Sequence, residues 1–80
     1  MSTHKLSNVS IADFKEFLIK VGCQYQSIES GHEKWSRQDL LRPIIFQTHK
    51  DPIPEFIIKA NLRTLNLSKQ EFFNILFDVK

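Results

Sequence analysis

Glu29-Ser30-Gly31-His32-Glu33-Lys34-Trp35-Ser36-Arg37 is the stretch whose reading decides the fold. Glu29-Ser30-Gly31 has the composition of a turn, and a strand is expected from His32 to Arg37. Side chains alternate along a strand, so His32, Lys34 and Ser36 share one face while Glu33, Trp35 and Arg37 share the other. Trp35 has the most apolar area to remove from water, which assigns its face to the core. Before the turn, Cys23 to Glu29 lacks a helical period and reads as a strand. After it, Gln38 to Arg42 is a polar connection, and Pro43 leads into Ile44-Ile45-Phe46-Gln47-Thr48, the most strand-like run in the chain. Three strands joined by short connections form an antiparallel meander.

Helical patterns flank these strands. Ser10-Ile11-Ala12-Asp13 is a capping-box-like start, and Phe14, Phe17, Leu18 and Val21 follow at intervals of three and four. Gly22 suits the end of that helix, expected over residues 10–21. Two prolines one residue apart make residues 49–54 a loop, with Pro54 placed to enter a second helix that runs to about Leu65. Ser68-Lys69-Gln70-Glu71 is a full capping box and opens a third helix carrying Phe72, Phe73, Ile75, Leu76 and Val79. The order α-β-β-β-α-α gives an α+β domain, with the helices on one face of a three-stranded antiparallel sheet. The other face stays open. Residues 10–79 are expected to form this single domain, and residues 1–9 a flexible N-terminal segment.

Eighty residues hold one core, and a small one, so a deep pocket for a bulky cofactor is not expected. Cys23 is the only cysteine, which excludes an internal disulfide and reads as a buried apolar thiol. The histidines and the cysteine show no His-x₃-His or Cys-x₂-Cys spacing, so no metal site is expected. Two glycines supply no phosphate loop, and no cofactor is expected. No stretch has the length of a membrane span, and the N-terminus lacks the apolar run of a secretory signal, so a cytoplasmic protein is expected. The charge of +2 is unevenly placed. Residues 1–29 balance, while Lys34, Arg37, Arg42 and Lys50 outnumber Glu33 and Asp39 between Gly31 and Lys50. A mild basic region of this kind suits a polyanion such as RNA, although a solvated charged surface has the same composition.

Strand phase places His32 and Lys34 on the open face, together with Ile45, Gln47 and, at the end of the third strand, His49. RNA carries its own nucleophile, the ribose 2′-hydroxyl, so its cleavage needs a group that moves protons and a cation that stabilises charge on phosphate. Histidine suits the first task near neutral pH and lysine the second. Lys59 and Arg63, four apart on the second helix, could reach further phosphates. Taken without other information, an exposed histidine beside a turn and a solvated lysine are the commoner reading of these positions.

Gly31-His32-Glu33-Lys34-Trp35, preceded by a helix and a strand and followed by a strand, His49-Lys50 and Ile53-Pro54, resembles the HicA (YcfA-like) toxins. The resemblance runs from about Ser10 to Leu76. It differs in two respects: the family's glycine usually lies two residues before the histidine, whereas Gly31 here adjoins it, and this chain is less basic than many RNA binders, with Glu33 directly after the histidine. Membership would imply a double-stranded-RNA-binding-like fold and an mRNA interferase held inactive by a HicB-like antitoxin. It would make His32 the single catalytic residue, Trp35 a structural aromatic, and Lys34 and Lys50 phosphate ligands. The expected function is therefore a metal-independent endoribonuclease toxin acting on mRNA. A non-catalytic RNA-binding module of the same fold and a protein-interaction domain are the alternatives.

Overall fold

The computed structural model describes residues 5–77. Ser10 begins the first helix, α1 (Ile11–Lys20), with its hydroxyl accepting from the Asp13 amide at 3.0 Å. A second oxygen, Asp51 Oδ1, accepts from the Ile11 amide at 3.2 Å and ties the 49–54 loop to the same helix end. Gly22 then takes φ +85°, which stops the helix and turns the chain into the sheet.

The sheet is an antiparallel meander, β1 (Gln24–Glu29), β2 (His32–Ser36) and β3 (Ile44–Gln47), in the order β1-β2-β3. Each strand is a residue shorter than its apolar pattern: Cys23, Arg37 and Thr48 lie just outside. Ser30 and Gly31 adopt φ +51° and +77° between β1 and β2, so the hairpin has the two positive-φ residues that match the twist of its strands. Helix α2 (Glu55–Leu65) ends on Asn66 in the left-handed conformation. Ser68 and Glu71 close both halves of the capping box at the start of α3 (Lys69–Leu76). Val79, placed in this helix by the sequence pattern, lies outside the described residues. The carbonyls of Ile75 and Leu76 at the helix end accept from Lys20 Nζ at 3.3 and 3.0 Å.

Trp35, Ile44 and Phe46 are buried on one face of the sheet, as the alternation requires. Phe14, Phe17, Leu18, Ile58, Leu62 and Phe72 complete the core from the helices. The flexible segment expected over residues 1–9 is not found over residues 5–9, and residues 1–4 lie outside the described residues. Leu6 and Val9 are buried in the same core, Leu6–Asn8 form a short 3-10 turn, and the Ile53 amide donates to the Val9 carbonyl at 2.9 Å. Two apolar residues without a period gave no sign of this. Their burial makes residues 5–9 part of the domain.

Glu33 also belongs to the covered face and is 1% exposed. It is not orphaned there. Trp35 Nε1 donates to Glu33 Oε2 at 2.6 Å, and Lys15 Nζ lies 3.3 Å from Oε1. This trio explains how β2 can place a carboxylate and an indole on one buried face. Glu33→Ala would leave the Trp35 N–H without an acceptor, and we expect it to lower stability by roughly 1–3 kcal/mol, read as a lower urea midpoint. Glu33→Gln keeps an acceptor for the indole and is expected to cost less.

Asn61 is the other buried polar residue, and it closes an edge. β3 borders solvent on the side away from β2. The Ile45 amide donates to Asn61 Oδ1 at 3.4 Å, and Asn61 Nδ2 donates to the Ile45 carbonyl at 3.0 Å. The side chain thus stands in for a fourth strand, which removes a template for unwanted pairing.

Candidate functional site

The uncovered face is built from paired positions. Side chains of residues directly opposite in neighbouring strands lie on one face, and His32 stands opposite Gln47 in β3 and Glu29 in β1. Lys34 stands opposite Ile45 and Ser27. His32 and Glu29 are exposed, while Lys34, Ile45, Gln47 and Ser27 are half-buried. His32, Lys34 and Gln47 therefore share the surface that strand phase predicts.

Glu29 was not foreseen in this group. Its carboxylate lies 4.0 Å from Lys34 Nζ. It is brought there by a register shift between Tyr25 and Ser27, which leaves Gln26 as the extra residue of a β-bulge. Tyr25 opposes Trp35 and Ile28 opposes Glu33, so both face the covered side although three residues apart. Strict alternation from Tyr25 would have put Glu29 on the covered side with it and Ile28 on the open one. The bulge turns Glu29 outward instead.

The hairpin turn orders the histidine. His32 Nδ1 lies 3.2 Å from the Ser30 carbonyl oxygen. A carbonyl only accepts, so Nδ1 is the donor, and in the neutral ring the lone pair then lies on Nε2. Nε2 is thereby free to take a proton from a bound group. On the far side of the turn, the Gly31 carbonyl accepts from the Thr48 amide at 2.9 Å and from Thr48 Oγ1 at 3.2 Å. His49 Nδ1 is 3.3 Å from the same hydroxyl oxygen, and the His49 ring rests over Gly31. Hence His49 buttresses the turn from which His32 projects.

A side chain at position 31 would overlap that ring and hold an unfavourable positive φ. Gly31→Ala is expected to cost about 1–3 kcal/mol and to displace the His49 ring. Thermal unfolding would report the first effect and the His49 ring resonances the second.

The remaining predicted residues divide. Lys50 is exposed next to His49 and makes no ion pair among the described residues. Lys59 and Arg63 lie on the outer face of α2, where Lys59 Nζ is 3.1 Å from Glu55 Oε2. Arg63 instead lines a cleft against the β2–β3 connection. Arg37, at the end of β2, is occupied: its guanidinium donates to Asp39 at 2.6 and 3.0 Å and to the Val21 carbonyl at 2.7 Å. Those bonds hold the Asp39 carboxyl below its usual range. Cys23 is buried, and burial pushes its thiol up against the opposing pull of Arg37, which is the reverse of what a nucleophilic cysteine needs.

Among the described residues no three His, Cys, Asp or Glu side chains are gathered to hold a metal ion. None of the described helices is long and apolar enough to cross a membrane. Comparison with family models, curated proteins and solved structures returns no match to this chain.

Proposed function

We propose that this protein is an endoribonuclease of the toxin class, cutting mRNA on the uncovered sheet face with His32 as general base. The observation that carries the reading is the Nδ1 contact of His32 with the Ser30 carbonyl, which supports a tautomer whose Nε2 faces solvent as an acceptor. In the proposed step, Nε2 takes the proton of a ribose 2′-hydroxyl. The 2′-oxygen bonds to the adjacent phosphorus and the bond to the 5′-oxygen breaks. The leaving oxygen takes a proton from water, the hydroxide so formed takes the proton held on His32 Nε2, and the products end in a 2′,3′-cyclic phosphate and a 5′-hydroxyl. Lys34 stabilises the charge gathering on the phosphoryl oxygens, while Gln47, His49 and Lys50 bound the same end of the sheet and bind the strand. A HicB-like antitoxin that covers this face in the cytoplasm would complete the system, and the resemblance to HicA in order and motif supports that partner.

One observation favours a second reading, an RNA-binding module without chemistry. Glu29 shares the face and partly neutralises Lys34. The two readings separate in one assay. Purified protein incubated with RNA and a chelator is expected to yield fragments with cyclic phosphate ends. A shifted but intact RNA would favour the module.

A further inference from the structure

The uncovered face does not end at Lys34. A depression of about 340 Å³ runs from Ser27, Glu29 and Lys34 to Leu41 and Arg42 of the β2–β3 connection. Behind the same connection lies a cleft of about 520 Å³, walled on its far side by Ala60, Arg63 and Asn66 of α2 and its cap. Leu40, Leu41 and Arg42 line both hollows, so the connection is a low ridge between them. Leu41 stands fully exposed on that ridge.

The cations along this path differ in what they already hold. Arg37 is engaged, with three of its five N–H groups given to Asp39 and Val21, and Asp39 is the only acid among the described residues that line the larger cleft. Arg42 and Arg63 make no ion pair or hydrogen bond through their side chains with any described residue. Both line one cleft, Arg42 from the connection and Arg63 from the last turn of α2. The helix end does not compete for them, because the Leu62 and Arg63 carbonyls accept from the amides of Leu67 and Asn66. Two arginines without an ion pair among the described residues, both lining one open cleft, suit a phosphodiester, which a guanidinium binds through paired N–H donors.

We infer that the cleft between Arg42 and Arg63 is a second RNA-backbone subsite, holding phosphates of the same single strand several nucleotides from the bond at His32. The inference rests on the RNA reading of the sheet face and extends it. A strand leaving Lys34 crosses the ridge at Leu41, meets Arg42, and continues to Arg63. Arg42 belongs to both hollows and is the link. The protein therefore distinguishes long strands from short ones, because a trinucleotide fills only the sheet face.

Binding of 2′-O-methyl oligoribonucleotides, which cannot cyclise, tests this directly. Anisotropy titrations with a trimer and a dodecamer over a range of salt would compare the wild type with Arg42→Gln/Arg63→Gln. Both side chains are outside the core, and circular dichroism would verify the fold of the variant. The wild type is expected to prefer the dodecamer, and the double variant to lose roughly tenfold or more of that preference. Its dependence of log affinity on log salt should flatten by about 1.4, two phosphate contacts at about 0.7 each on a single strand. Lys69→Gln removes another exposed, unpaired charge outside both hollows and should leave the preference intact. Wild-type dodecamer affinity and salt slope in the double variant would overturn the subsite while leaving the sheet-face reading in place. An equal loss in Lys69→Gln would overturn it too, since diffuse charge would then explain the effect. Failure of the wild type to bind either oligomer at low salt would remove both.

Discussion

His32→Ala is expected to slow RNA cleavage by about 10²–10⁴-fold while leaving the fold intact. The side chain is exposed, and its only described hydrogen bond is the one to the Ser30 carbonyl across the turn. Removing it opens no cavity and strands no buried group. The turn itself depends on Ser30, Gly31 and the Thr48 contacts, all of which survive. Single-turnover cleavage rates paired with a urea titration would separate chemistry from folding. Expression in a host cell adds a third readout, because the variant should not arrest growth. A His32→Ala protein that cleaves as fast as the wild type would remove the histidine from the mechanism.

The largest effect on stability is expected from Phe14→Ala. Phe14 is wholly buried, with ring centroids 5.8 Å from Phe17, 5.4 Å from Phe46 and 6.2 Å from Phe72. It therefore joins α1 to β3 and to α3 in one contact set. Truncation of such a ring costs about 3–5 kcal/mol. A domain of 80 residues has roughly 4–12 kcal/mol in total, at about 0.05–0.15 kcal/mol per residue. The variant should be marginal or unfolded at ambient temperature. Phe56, 70% exposed on α2, supplies the contrast, and Phe56→Ala should change stability by less than about 0.5 kcal/mol. Equal urea midpoints for Phe14→Ala and the wild type would show that the aromatic cluster does not hold the elements together.

Much of this architecture is legible in the residues themselves. The alternation through Trp35 assigns the faces of β2, and the run around Phe46 assigns those of β3. The capping residues Ser10 and Ser68 mark helix starts that the structure reproduces. What the sequence conceals has physical causes. The bulge at Gln26 reverses the phase of β1, and no composition signal marks it, so Glu29 arrives beside Lys34 unannounced. Asn61 reads as a surface polar residue on a helix. It is buried because the free edge of Ile45 offers both a donor and an acceptor. Arg42 lies in a connection with no period, and only tertiary packing sets it in one cleft with Arg63, 21 residues later. Leu6 and Val9 are similar: isolated apolar residues declare their burial only when the 49–54 loop closes over them through Ile53.

The proposed cut is made on the uncovered sheet face, and not on the face that the helices cover. Two side chains on β2 report the two sides of the sheet independently. His32 projects from the open face, and the Trp35 indole N–H is fixed to Glu33 on the covered one. The measurement is a nuclear magnetic resonance titration with uncleavable 2′-O-methyl RNA, following the His32 ring protons and the Trp35 indole proton together. The account predicts that the His32 resonances move with added RNA while the Trp35 indole stays in place. Movement of the indole with the His32 ring unchanged would contradict it.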